Sequence, residues 1–153
     1  MITSRYETIL GQIPDGWRSK RLCGLLSSHF AGSWGDADGE QEVQVIRSTN
    51  FNDTGFLDLA DVAKRYYDQK RATAICIKKN DILIERSGGG PTQPVGRIAL
   101  VETDLTGYGF SNFVQLLRPN EDEIHPEYLA WVLFELHRSG IIERLQHQTT
   151  QMR

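Results

Sequence analysis

Three consecutive glycines, Gly88, Gly89 and Gly90, follow Arg86 and Ser87 and precede Gln93 and Arg97. Core packing does not explain such a run. Glycine has no side chain to bury and costs entropy to order, so it is expected where the backbone takes positive φ or comes close to a ligand. The flanking guanidinium and amide groups are donors of the kind that guanine edges, adenine edges and phosphates accept. A flexible hairpin loop is the other reading of the triplet. Similar groups recur elsewhere: Arg47, Ser48 and Asn50 after one strand-like run, Ser111 and Asn112 inside another, Lys78 and Lys79 between two more. Trp34 stands in a glycine-punctuated loop, and Thr149 and Thr150 lie near the last residue. The chemistry this set can do is hydrogen-bond readout and phosphate contact, with arginine bidentate on guanine and Asn or Gln on adenine. Each residue also has a structural reading. Arg47 can pair with Asp53 or Asp58, Asn50 can cap a turn, Trp34 can anchor its loop, and the two threonines can be ordinary tail.

Bond-making chemistry is not legible. His29, His125, His137 and His147 are scattered, and no Gly-x-Ser-x-Gly elbow or Walker-type phosphate loop occurs. Glu85 beside Arg86 reads as a salt-bridged or solvent-facing strand-end residue rather than a catalytic one. Cys23 and Cys76 lack the spacing of a disulfide or metal site and read as small buried residues. No cofactor and no metal are expected in the chain.

The elements that must position these groups follow from periodicity. Residues 4–11 read as a helix within an N-terminal strap over 1–16, which ends on Ile13-Pro14-Asp15-Gly16-Trp17. A sheet-rich core is expected over 17–118, with strands at 17–22, 42–47, 74–77, 81–84 and 95–102 and alternation across 110–118. Residues 23–30 fit either a short helix or a second strand, and 58–67 a turn or short helix. A helical segment over 124–147 opens at His125-Pro126, repeats through Leu129, Val132, Leu133, Leu136 and His137, and ends near Gly140. A tail over 148–153 follows. The expected fold class is α+β: a twisted, mostly antiparallel or mixed sheet, a C-terminal helix and several long loops.

With 153 residues, 39% hydrophobic and 24% charged, the chain fits one domain with its own core. The apolar run over 128–134 is too short to span a membrane, and the N-terminus lacks a signal-peptide core, so the cytoplasm is the expected compartment. The net charge of −3 argues mildly against nucleic acid, but the distribution does not. Residues 64–86 hold seven basic side chains against three acidic ones, which would give a locally positive face.

Taken in order, several segments resemble a target recognition domain of the DNA specificity subunit of type I restriction-modification systems. They are Tyr6-x-Thr8-x-x-Gly11-x-Ile13-Pro14-x-Gly16-Trp17, Ile46-Arg47-x-x-Asn50, the block from Asp81 to Arg97, Phe110-Ser111-Asn112-Phe113 with Leu117-Arg118-Pro119, Pro126-x-Tyr128-Leu129, and Gln148-Thr149-Thr150 with Arg153. The resemblance implies a non-catalytic domain that reads one half of a split double-stranded DNA target. It implies long helices that bind modification (methyltransferase) subunits, and through them a restriction subunit. S-adenosylmethionine, ATP and magnesium would then act on those partners. Ending at Arg153, where a helical spacer would be expected, the chain is either an excised domain or a half-subunit that pairs with a second specificity half. On this reading the loops at 32–39, 47–50 and 86–97 face the major groove and basic residues over 64–79 hold phosphates. A protein-interaction or structural module without DNA binding is the alternative.

Overall fold

The computed structural model describes residues 18–90 and 93–145. The expected helix over 4–11, the opening motif through Trp17, and the tail with Thr149 and Thr150 lie outside those residues, as do Pro91 and Thr92.

The described residues form an α+β fold. Its strands are β1 (Leu26–Ala31), β2 (Gln41–Ile46), β3 (Ala63–Tyr67), β4 (Ile82–Glu85), β5 (Ile98–Leu100), β6 (Tyr108–Phe110) and β7 (Val114–Pro119). Its helices are α1 (Gln69–Ala74) and α2 (Pro126–Arg138). One sheet has four strands in the order β1-β7-β4-β5, all neighbours antiparallel. The other has three, β3-β2-β6, with β2 antiparallel to β3 and parallel to β6.

Strand composition explains the layering. Ile82-Leu83-Ile84 and Ile98-Ala99-Leu100 are continuous apolar runs, the pattern of strands covered on both faces. Leu83, Ala99 and Leu116 face the three-stranded sheet, in a core with Val43, Val45, Ile46 and Phe110. Ile82, Ile98, Leu100 and Leu117 face the other way, against Leu129, Ala130 and Leu133 of α2. The four-stranded sheet is therefore the middle of three layers. Leu116 is fully buried, and truncating it to alanine costs about 2–5 kcal/mol. Pro126 at the first turn of α2 needs no hydrogen-bond partner for the N–H it lacks, and Gly140 beyond the C-terminus takes φ of +73°.

Five expectations change. Residues 63–67 are strand rather than turn or helix, because pairing with β2 along the full register outweighs local preference. The strand expected over 74–77 does not form: a helix, α1, ends at Ala74, started by the Asp68 carboxylate, which accepts from the Arg71 N–H at 2.8 Å, and 75–77 belong to no helix or strand. Ile75 and Ile77 still reach the core. The alternation over 110–118 is two strands in different sheets, broken at 111–113. No strand forms at 18–22. Leu22–Leu25 is a 3₁₀ turn, and β1 follows it. Cys23, read as buried, is exposed, and Cys76 is half-buried.

Two ion pairs brace the middle sheet at its opposite ends. Asp81, 1% exposed, accepts from Arg118 Nε and Nη2 at 2.7 Å each and from the Lys78 N–H at 2.8 Å. That carboxylate raises the Arg118 pKa above its ordinary value, with burial opposing it. Glu85, 3% exposed, holds Arg97 at the other end. Among the described residues no helix is long and apolar enough to cross a membrane.

Candidate nucleic-acid interface

The pairing registers bring one set of strand ends together. Ala31 lies opposite Gln115, Glu85 opposite Val114, Ile84 opposite Ile98, and Ile46 opposite Phe110. The ends of β1, β2, β4 and β6 and the starts of β5 and β7 therefore share one edge of the molecule. Backbone bonds join the loops that emerge there. The Ser111 N–H donates to Ile46 O, Ser33 to Phe110 O, Gly32 to Val114 O, and Arg86 to Phe113 O, all within 2.9–3.1 Å. An ideal Cβ on Gly32 would lie 2.1 Å from Phe110 O, so only glycine allows this approach.

Between these loops lies a cleft of about 410 Å³ lined by Trp34, Arg47, Ser48, Thr49, Ser111, Asn112 and Phe113. Trp34 is half-buried and packs on the inter-sheet core, with the Arg65 guanidinium over its ring at 4.3 Å. Its loop is tied down by the Tyr67 hydroxyl, which donates to Ser33 O at 2.6 Å. Burial raises the pKa of that phenol, against the opposing pull of Arg71. Arg71 itself donates to Asp36 at 2.8 Å.

The glycine triplet divides its labour. Gly88 has φ of +99°, and a Cβ there would sit 3.1 Å from the Phe113 ring. At Gly89 a Cβ would crowd Gln93 O and Val95 at 2.7 Å, whereas at Gly90 it would meet none of the described residues within 4 Å. Gly90 and Gln93 exchange backbone hydrogen bonds at 2.9 and 3.1 Å. The Arg86 side chain is exposed with no partner among the described residues, and the Asn112 side chain is likewise exposed and uncommitted.

Several residues read from sequence as base readers are used by the fold instead. Asn50 is 3% exposed. Its amide donates to Asp58 O at 2.9 Å and Asp61 O at 2.8 Å, and its carbonyl accepts from the Arg47 N–H at 2.9 Å. It caps a turn. Arg97 donates to both Glu85 oxygens at 3.0 and 3.3 Å, to Ser48 O at 2.8 Å and to Phe51 O at 3.4 Å, so it locks the glycine loop to the 48–51 turn. Ser87 is buried. Arg47 pairs with Asp61, not with Asp53 or Asp58, through Nη2 at 3.0 Å. Lys78 and Lys79 precede β4, so they sit at the end of that strand away from the glycine loop.

The cleft thus unites Trp34, Arg47, Ser48 and Asn112, with Gly88 pressed on its Phe113 wall and Arg86 bonded to the same residue. No protein-family model and no curated protein matches the chain. The base readers singled out from sequence do not include Phe113 or Thr49, and the sequence alone does not place Arg65 over Trp34. Thr49 lies between two residues singled out, and Phe113 next to a third, so proximity was the available signal. For Arg65 the signal was its alternation with Ala63 and Tyr67.

Proposed function

We propose that this chain recognises double-stranded DNA as a target recognition domain of a type I restriction-modification specificity subunit. In that role it directs cytoplasmic methyltransferase and endonuclease subunits to one half of a bipartite site. It reads and does not cut or methylate; S-adenosylmethionine, ATP and magnesium act on the partners. The observation that carries this reading is the convergence of four sequence-distant loops on one edge, bearing Trp34, Arg47 and Ser48, Arg86 with the glycines, and Asn112. Phosphate contacts set register and a few side chains supply sequence choice. Arg86 is the foremost candidate for a guanine contact, because it is the exposed guanidinium of the glycine loop without a carboxylate partner among the described residues. Arg97 and Asn50 support the surface from beneath, and Lys78 and Lys79 stay outside it.

The test is selection from a random duplex pool followed by titration of the enriched sequence. Arg86→Ala weakens cognate binding by about 1–3 kcal/mol, and affinity falls steeply with salt. An unchanged affinity for Arg86→Ala, or binding indifferent to salt, refutes the assignment.

A protein-contact reading is favoured by one observation on another face. Tyr128, Trp131 and Val132 of α2 are 49%, 45% and 37% exposed and line an apolar groove with Glu135, Leu136 and Ser139. Contiguous apolar surface of this kind marks interaction sites, and such a contact is far less sensitive to salt.

A further inference from the structure

We infer that the cleft between Trp34 and Phe113 takes a single unpaired nucleobase carried by a nucleic-acid strand. The inference rests on reading the convergent loops as a nucleic-acid interface, and goes beyond edge recognition of a stacked duplex. At about 410 Å³ the cleft lies within the size range of sites for small planar ligands. A helix or strand of a partner protein needs a longer groove.

Its lining matches a base. Two aromatic side chains, Trp34 and Phe113, are part of the lining, and stacking on such rings holds any base because each has a π-face. The Ser48, Thr49 and Ser111 hydroxyls and the Asn112 amide supply both donors and acceptors for the polar edge. The aromatic walls are fixed beforehand: Arg65 covers Trp34 at 4.3 Å, and Gly88 lies against Phe113 where a Cβ would come within 3.1 Å. Fixed walls reduce the ordering cost of binding.

Arg47 gives an independent pointer. Only Nη2 of its guanidinium is engaged, with Asp61, while Nε is buried without a hydrogen-bond partner among the described residues. A buried donor without an acceptor is costly, so a shift of the Arg47 side chain that offers this N–H to an acceptor in the cleft is favoured. Charge agrees. Arg47 and Arg71 are balanced by Asp61 and Asp36, but Arg65 and Arg86 have no carboxylate partner among the described residues. Arg65, over the Trp34 ring, and Arg86, whose backbone N–H bonds the Phe113 carbonyl, suit the phosphates on either side of an inserted base. A fully paired base must first leave its stack at a cost of a few kcal/mol, a cost smallest for a base already unpaired.

The experiment is a fluorescence-anisotropy titration at low salt with three labelled duplexes of common sequence: fully paired, with one bulged thymidine, and with an abasic bulge of equal charge. Wild type should bind the bulged thymidine about tenfold more tightly than the abasic bulge. Phe113→Ala and Asn112→Ala should each shrink that ratio, by weakening binding of the bulged thymidine more than of the abasic bulge. The Asn112 side chain is exposed and has no partner among the described residues, so its variant tests the cleft even if Phe113→Ala misfolds. Equal binding of thymidine and abasic bulges by wild type overturns the inference, and if the paired duplex is still bound the duplex reading stands alone. Tight binding of the bulged thymidine without measurable binding of the paired duplex supports the cleft and sinks the duplex reading instead. Free thymidine monophosphate binding as tightly as the bulged duplex overturns the strand-borne assignment.

Discussion

Replacing Arg97 by alanine tests whether this arginine is a brace or a reader. Its guanidinium, 17% exposed, faces a Glu85 carboxylate only 3% exposed. It also supplies the Ser48 and Phe51 carbonyls, at 2.8 and 3.4 Å. Truncation leaves a buried carboxylate without its counter-charge, a loss of about 3–5 kcal/mol in comparable buried pairs. A domain of this size holds about 5–15 kcal/mol in total, so Arg97→Ala still folds but melts about 6–20 °C lower. Urea denaturation followed by tryptophan fluorescence gives the same loss at fixed temperature. Glu85→Leu combined with Arg97→Met removes both charges at similar volume and recovers more than half of the stability. At a temperature where each variant is folded, Arg97→Ala lowers DNA affinity less than Arg86→Ala does. A stability loss under about 1 kcal/mol, or a double variant as unstable as the single one, refutes the brace.

Other outcomes follow from the same geometry. Gly88→Ala forces a Cβ into a positive-φ residue against Phe113 and loses about 1–3 kcal/mol, whereas Gly90→Ala, meeting none of the described residues, stays within about 0.5 kcal/mol by thermal melting. Tyr67→Phe leaves Ser33 O without its donor and costs about 1–3 kcal/mol, with near-ultraviolet dichroism reporting a loosened Trp34 loop. Burial lowers the His137 pKa, with Glu85 pulling it up, Arg97 down and Glu143 up. The unfolded chain therefore binds that proton more readily. Stability associated with neutral His137 is intact above about pH 6.5 and is lost as pH falls, levelling off below the folded pKa. Urea midpoints between pH 7.5 and 5.5 should drop less in His137→Gln than in wild type; equal drops dismiss the residue as a contributor.

How far the sequence reveals this molecule depends on whether the deciding interaction is local. Ile82-Leu83-Ile84 and the Pro126 helix declare themselves because run length, periodicity and capping are neighbour effects. Residues 63–67 do not: their strand conformation comes from β2, whose partner residues lie well upstream. The β-branched Ile75 and Ile77 suggest a strand, yet the helix started by the Asp68 cap ends at Ala74 and the two isoleucines reach the core from a segment that is neither helix nor strand. At the interface the sequence identified which loops carry recognition chemistry, and the registers put them side by side. It could not say which polar groups the fold consumes. Arg86 and Arg97 look alike as residues, yet one meets solvent and the other Glu85 and Ser48, a partner 49 positions away. The distinction lies in long-range packing that composition does not encode.

The parallel pairing of β2 with β6 has a kinetic consequence. Segments far apart along the polypeptide must close large loops before they gain any contact, and topologies of high contact order fold slowly. Phe110 reaches its seat beside Ile46 only by such a closure, and the cleft floor at Ser111 hangs from that seat. Ligand affinity is therefore a stringent gauge of completed folding, one that a partly assembled chain with the central sheet already formed would fail.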